Sequence, residues 1–160
     1  MNWRGGQGQT TVNRRDVPLE LFARLGSMPG VKLISLQKGM GEREPAKSRA
    51  RFPILDLGEF DGEKGAFMDT AAIMMNLDLV ITSDTSIAHL AGALGVSVWV
   101  ALPSVPDWRW LVKRSDSPWY PTAELFRQDA SRRWAPVVND VAAELRALAT
   151  SDQTKISRIA

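Results

Sequence analysis

The chain has no cysteine and a single histidine, His89, among its 160 residues. Without thiols there can be no disulfide, thiolate metal centre or cysteine nucleophile. With one imidazole, a metal site would have to be mostly carboxylate, and no metal or cofactor is expected. Long hydrophobic runs are also missing. None reaches the roughly 18 residues of a membrane span, so no membrane span is expected. The opening residues, MNWRGGQGQTT, hold neither an apolar core segment nor a small-residue cleavage site, so no secretory signal is read and the cytoplasm is the default location. Net charge is low, at +2, which is too little to call for nucleic acid.

What charge there is lies unevenly. Residues 1–53 carry ten Lys/Arg against four Asp/Glu, residues 54–107 one against eight, and residues 108–160 nine against six. Two basic segments thus flank an acidic one. This is either an ordinary solvated surface or a set of basic loops that converge on a small anion. At 44% hydrophobic and 24% charged residues, the composition is that of a globular protein, and the length suits one domain.

Short β-branched runs alternate with helical stretches, a pattern that predicts a parallel sheet covered by helices. Strands are expected at 31–37 (VKLISLQ), 54–57 (ILDL), 78–82 (DLVIT) and 96–102 (VSVWVAL). Helices are expected at 18–28, capped by Asp16 and opened by Pro18, and at 66–77, 85–95 and 134–149. The domain therefore runs over 1–149, with 150–160 as a frayed tail. Only MNW precedes a glycine-rich loop, so the first strand would be a stub and the chain is read as cut from a longer protein.

The most informative stretch is SDTSIAH, residues 83–89, between two apolar runs. A strand ending at Thr82 and a helix starting near Thr85 put Asp84 at the N-cap, where its carboxylate would accept the first free N–H groups. A helix start at the carboxyl end of a parallel strand is where α/β proteins bind phosphate, and Thr85 and Ser86 add hydroxyls. At 100° per residue, Ile87, Leu90, Ala91 and Leu94 form the core stripe. His89 lies about 40° from Thr85, one turn up the opposite face. Gly95 should end the helix in a left-handed conformation. A Ser86–His89–Asp84 triad is disfavoured because a capping Asp84 could not orient the imidazole.

Other segments end on the same expected rim. WRGGQGQ places Gly5 and Gly6 where backbone N–H groups can approach a phosphate. Arg14 and Arg15 precede the first helix, and Lys38 follows the SLQ run. Asp69 and Thr70 start or cap a second helix that could face the crevice. Trp108, Arg109, Trp110, Trp119 and Tyr120 suit a sugar face or a base, although Trp119 and Tyr120, between two prolines, look particularly like a loop anchor.

Taken together, DTSIAHLAGALG, PDWRW and SPWYP, with WRGG and SLQKG, resemble the carboxyl-terminal domain of heptosyltransferase-like glycosyltransferases (family 9), in particular those fused to tetratricopeptide repeats; the likeness runs from about Trp3 to Leu148. The resemblance implies a Rossmann-like α/β domain with helices on both faces, one half of a GT-B architecture. It also implies that this half holds a nucleotide diphosphate sugar for metal-independent, inverting transfer. The partner would be an amino-terminal glycosyltransferase domain, with tetratricopeptide repeats in the fused members. Asp84, Thr85, Ser86 and His89 match the D-T/S-G/S-x-x-H motif at the donor pyrophosphate, with Ser86 where many members have glycine. Arg14 or Arg15 stands in the region of a basic phosphate contact. Glu42 is a candidate for the ribose, and Asp107, Trp108 and Arg109 lie in the matching PDWRW loop. The resemblance puts the catalytic base and acceptor pocket in the other domain. The alternative is a nucleotide-binding or interaction module without catalysis, from a truncated gene.

Overall fold

The computed structural model describes residues 1–5, 15–39, 41, 53–62 and 65–156, with side chains through 150. Its centre is a parallel sheet of β1 (Val80–Ser83), β2 (Val98–Leu102) and β3 (Ala123–Arg127), in that spatial order. β2 is central and pairs on both sides, Trp99 with Ile81 of β1 and with Glu124 of β3. A parallel strand covered on both faces needs apolar residues at every position, and all five residues of β2 are buried.

Three further extended segments continue the sheet beyond β1. Asn2 forms a parallel bridge with Thr82, and Ile34 another with Leu55. Leu36 N–H donates to the Met1 carbonyl at 2.8 Å, which joins these two pairs. Numbered along the chain, the six extended segments lie in the order 3-2-1-4-5-6, the order of a doubly wound, Rossmann-like sheet. Two expected strands are thereby shortened: 31–37 and 54–57 meet in the single Ile34–Leu55 bridge and neither forms a ladder. β3 was not among the expected strands. Its AELFR sequence lacks β-branched residues, and its strand conformation comes from the open edge of β2.

Helices cover both faces. Ile81, Trp99, Ala101 and Phe126 point to one side, where they join Leu19 and Phe22 of a 3-10 turn (Leu19–Phe22), Leu25 of α1 (Ala23–Gly26), and Val137, Val138, Val141, Ala142 and Leu145 of the closing helix. Val80, Val98, Val100, Leu102 and Leu125 point to the other, against Met74 of α2 (Met68–Met74) and Ile87, Ala88 and Ala91 of α3 (Ser86–Ala93). The closing helix, α4, spans Trp134–Ile156. The expected tail from 150 is therefore helical through Ile156, and residues 157–160 lie outside the described residues. The expected helix at 18–28 is a 3-10 turn followed by one α turn, and no side chain caps it. Asp16, expected as its cap, serves elsewhere. No helix among the described residues is long and apolar enough to cross a membrane.

α3 ends as its sequence demands. Gly95 takes φ +71°, with its N–H on the Gly92 carbonyl and the Val96 N–H on the Ala91 carbonyl, a Schellman closure that needs a left-handed residue. Leu94, expected in the core stripe, is instead 37% exposed at the C-cap of α3, because the helix ends at Ala93 and the chain turns away at Gly95; with the fully buried Leu102 it tests where the core stops. Leu102→Ala should destabilise by about 2–5 kcal/mol and Leu94→Ala by less than about 1 kcal/mol, both read from urea unfolding. Equal effects would contradict this layering.

Candidate functional site

In a 3-2-1-4-5-6 sheet the connections leave strands 1 and 4 in opposite directions, and a crevice opens at their carboxyl ends. Here those ends are the Asn2 segment, running into Arg4 and Gly5, and β1, running into Asp84. A cavity of about 790 Å³ opens between them, with Arg15, Lys38, Thr85, Ser86, His89, Arg109 and Tyr120 on its walls.

Asp84 is not the N-cap. Thr85 caps α3, its hydroxyl accepting the Ile87 N–H at 3.3 Å and donating to the Asn2 amide oxygen at 3.1 Å. Asp84 is 3% exposed and accepts from the Trp110 indole N–H at 2.8 Å and, at 3.4 Å, from the Arg15 guanidinium. A carboxylate this buried requires such partners. The chain turns a residue later than the sequence pattern implies because β1 continues through Ser83. A triad is excluded as well, since His89 Nδ1 faces the Tyr120 hydroxyl at 3.0 Å rather than Asp84.

His89 does rise above Thr85 on the cavity wall, as the helical spacing predicts. Its ring stacks on Trp110, with centroids 5.2 Å apart and planes inclined by 18°. Ser86, exposed, opens the helix beneath it. The strand-1 side is held by Gln37, whose amide oxygen accepts from Asn2 Nδ2 and from the N–H groups of Trp3 and Arg4 at 3.0–3.1 Å.

The cations on this wall come with partners. Arg15 leans on Asp84, Arg4 pairs with Asp16 at 3.1 Å, and Arg109 pairs with Asp107 at 2.8 Å. Lys38 donates to the Phe60 carbonyl at 2.6 Å. Gly5 reaches the cavity, but its N–H is donated to Asp16 at 3.2 Å, so it is not the open phosphate donor that the glycine loop implies. Asp16 is thus a tie between the two basic loops and not a helix cap. Gly6, Arg14 and Glu42 lie outside the described residues.

The second helix start is also closed. The Asp61 carboxylate accepts the N–H groups of Asp69 and Thr70 at 2.8 and 3.0 Å and the Thr70 hydroxyl, while Asp69 returns a bond to the Asp61 N–H. Asp61 and Thr70 line the cavity; Asp69 supports them from behind. In the PDWRW loop, Asp107 caps a 3-10 turn (Trp108–Trp110) by accepting the Arg109 N–H at 3.0 Å. Of that loop only Arg109 is on the cavity wall. Trp108 is 68% exposed, under the Arg109 guanidinium, and Trp119 donates to the Arg109 carbonyl at 3.0 Å. Arg127, at the end of β3, donates to the carbonyls of Trp110, Leu111 and Arg114 and clamps the whole loop.

Sequence reasoning passes over Asn2, Arg4, Gln37 and Asp61. Arg4 has a readable signal, since it follows the stub strand directly and so falls at the switch point. The other three act through partners 8 to 83 residues away, which no local pattern encodes. Among the described residues, no three His, Cys, Asp or Glu side chains gather in a way that could hold a metal ion. A helix start, arginines and an imidazole around one cavity form a set of donors suited to an anion.

Fold and site together define a doubly wound α/β domain with a cation-rimmed crevice at its topological switch point. Among proteins of known sequence, Protein FlbA of Caulobacter vibrioides is 30% identical to this chain over 140 residues, 86% of this chain and 23% of that protein. The chain thus spans less than a quarter of that relative's length. No protein-family model matches the chain, and no solved structure does.

Two outcomes follow from these contacts. Asp84→Ala, which strands the buried Trp110 N–H and frees Arg15, should cost about 2–3 kcal/mol in chemical unfolding, more than Asp107→Ala at the exposed loop. The Asp61 carboxyl is pushed up by burial, but the Thr70 hydroxyl and the N–H groups of Thr70, Asp69 and Phe67 outweigh this and hold it below the usual range. The unfolded chain then takes up its proton first, so this contribution is complete above pH ~4 and is lost as pH falls through the folded value. Asp61→Asn should flatten the loss of stability below pH ~4; an unchanged acid slope would show that Asp61 does not contribute to it.

Proposed function

We propose that this chain is the donor-binding half of a glycosyltransferase, holding a nucleotide diphosphate sugar in the crevice for metal-independent, inverting transfer, as the resemblance to family 9 implies. The observation that carries this reading is one cavity wall on which Ser86 at the α3 N-terminus, the Arg15 guanidinium and the His89 ring stand together. A diphosphate leaving group gains one negative charge, on its terminal phosphate, as the bond to the sugar breaks, and with it a greater demand for donors. Fixed N–H groups, a helix dipole and guanidinium groups meet that demand without reorganising. Arg15 is suited to the role because Asp84 already orients it.

The carboxylates on this wall support a division of labour between two domains. Asp84 is engaged by Trp110 and Arg15, and Asp61 by the α2 start. Neither is available to deprotonate an acceptor, in keeping with a general base supplied by an amino-terminal partner domain. A nucleotide-binding or interaction module without catalysis remains the second reading, since the same wall would serve it.

Thermal melting of the chain with ADP, UDP, GDP and their sugars tests the site. At roughly ten times Kd, the right nucleotide should raise Tm by about 3–6 °C, and Arg15→Ala and His89→Ala should remove most of that rise. No response to any nucleotide would sink the donor-site reading. Sugar transfer by these 160 residues alone would overturn the assignment of the base to another domain.

A further inference from the structure

The His89 ring is held more tightly than a surface imidazole requires. One face stacks on the fully buried Trp110, and Tyr120 meets it edge-on with centroids 5.7 Å apart. Tyr120 approaches this closely only because position 92 is glycine: a Cβ there would lie 2.4 Å from Tyr120 Cγ. Tyr120 is in turn flanked by Pro118 and Pro121, which restrict the backbone on either side. The contact made at this cost is a single hydrogen bond, Tyr120 Oη to His89 Nδ1 at 3.0 Å.

We propose that Tyr120 is a positioning residue that fixes neutral His89 as the Nε2–H tautomer, so that the ring presents a donor to the cavity. A phenol can donate or accept, and a neutral imidazole has one donor and one acceptor nitrogen. Among the described residues, Nδ1 is the sole acceptor available to the Tyr120 hydroxyl, and Nε2 has no hydrogen-bond partner. If Nδ1 carried the proton, the phenol hydrogen would have no acceptor on the protein and Nε2 would offer an anion in the cavity a lone pair in place of a donor. With the phenol donating, both nitrogens are matched: Nδ1 accepts, and Nε2–H points its proton where an anion would need one. The consequence for ligand binding rests on the phosphate-site reading above; the tautomer itself does not.

Because His89 is the single histidine in the chain, imidazole nitrogen NMR of the whole protein reports it without assignment. With the ring neutral, the ligand-free protein should show Nε2 protonated and Nδ1 bare. Tyr120→Phe keeps the ring beside Gly92, removes the hydroxyl, and should give a mixture of tautomers. A proton on Nδ1 in the unmodified protein would overturn the proposal without recourse to any variant, and so would an identical spectrum in Tyr120→Phe. Inorganic pyrophosphate then tests the consequence: its affinity should fall about threefold to tenfold in Tyr120→Phe. An altered tautomer with unchanged affinity would overturn the positioning role. Failure of the unmodified protein to bind pyrophosphate would instead defeat the phosphate-site reading, and the spectrum would still decide the tautomer.

Discussion

The crevice depends on one buried carboxylate. Asp84 closes β1 with 3% of its surface exposed, and an ionised group in that position must be compensated by donors. The donors come from far along the chain: Arg15 from 69 residues before and Trp110 from 26 residues after. Satisfying Asp84 therefore draws the loop ahead of α1 and the loop after β2 onto the end of β1. Trp110, so placed, becomes the floor on which His89 stacks, and Arg127 locks it from the other side through its carbonyl.

A second network does the same for the first strand. Gln37 gathers three donors from Asn2, Trp3 and Arg4, and Asn2 passes the connection to Thr85 at the start of α3. The two networks leave a consistent division of roles. Asp16, Asp61, Asp84 and Asp107 are each engaged by the protein's own donors, so that Asp61 and Asp84, although on the cavity wall, are tied to the protein, while Ser86, His89, Arg15 and Arg109 stand on the same wall. Acidic side chains organise the loops, and donors face the space between them.

Local pattern carried most of the fold. The apolar runs of β1 and β2, the stripe of Ile87, Leu90 and Ala91, and the Gly95 closure are all consequences of short-range rules, and each is present in the structure; Leu94, the fourth residue of that stripe, is exposed where the helix ends. β3 escaped because Ala123–Arg127 has little intrinsic strand preference and alternates only weakly; it is a strand because β2 offers it an edge. The segments at 31–37 and 54–57 have the composition of strands but meet in the single Ile34–Leu55 bridge, since ladder length depends on neighbouring segments as well as on propensity. The polar residues after 149 continue α4 through Ile156.

The site divides along the same line. The sequence by itself determined that His89 shares a face with Thr85, that a helix begins at the carboxyl end of a buried strand, and that arginines sit at the ends of neighbouring elements, because periodicity and capping act within a few residues. Only the tertiary structure decided that Thr85 and not Asp84 is the cap, that Asp84 binds Trp110 and Arg15, that the Gly5 N–H belongs to Asp16, and that Tyr120 meets His89. Each of those pairings joins residues 11 to 69 positions apart, apart from the cap itself. At such separations the partner of a polar group is set by which loops the sheet order brings to one end, and not by the residues beside it in the chain.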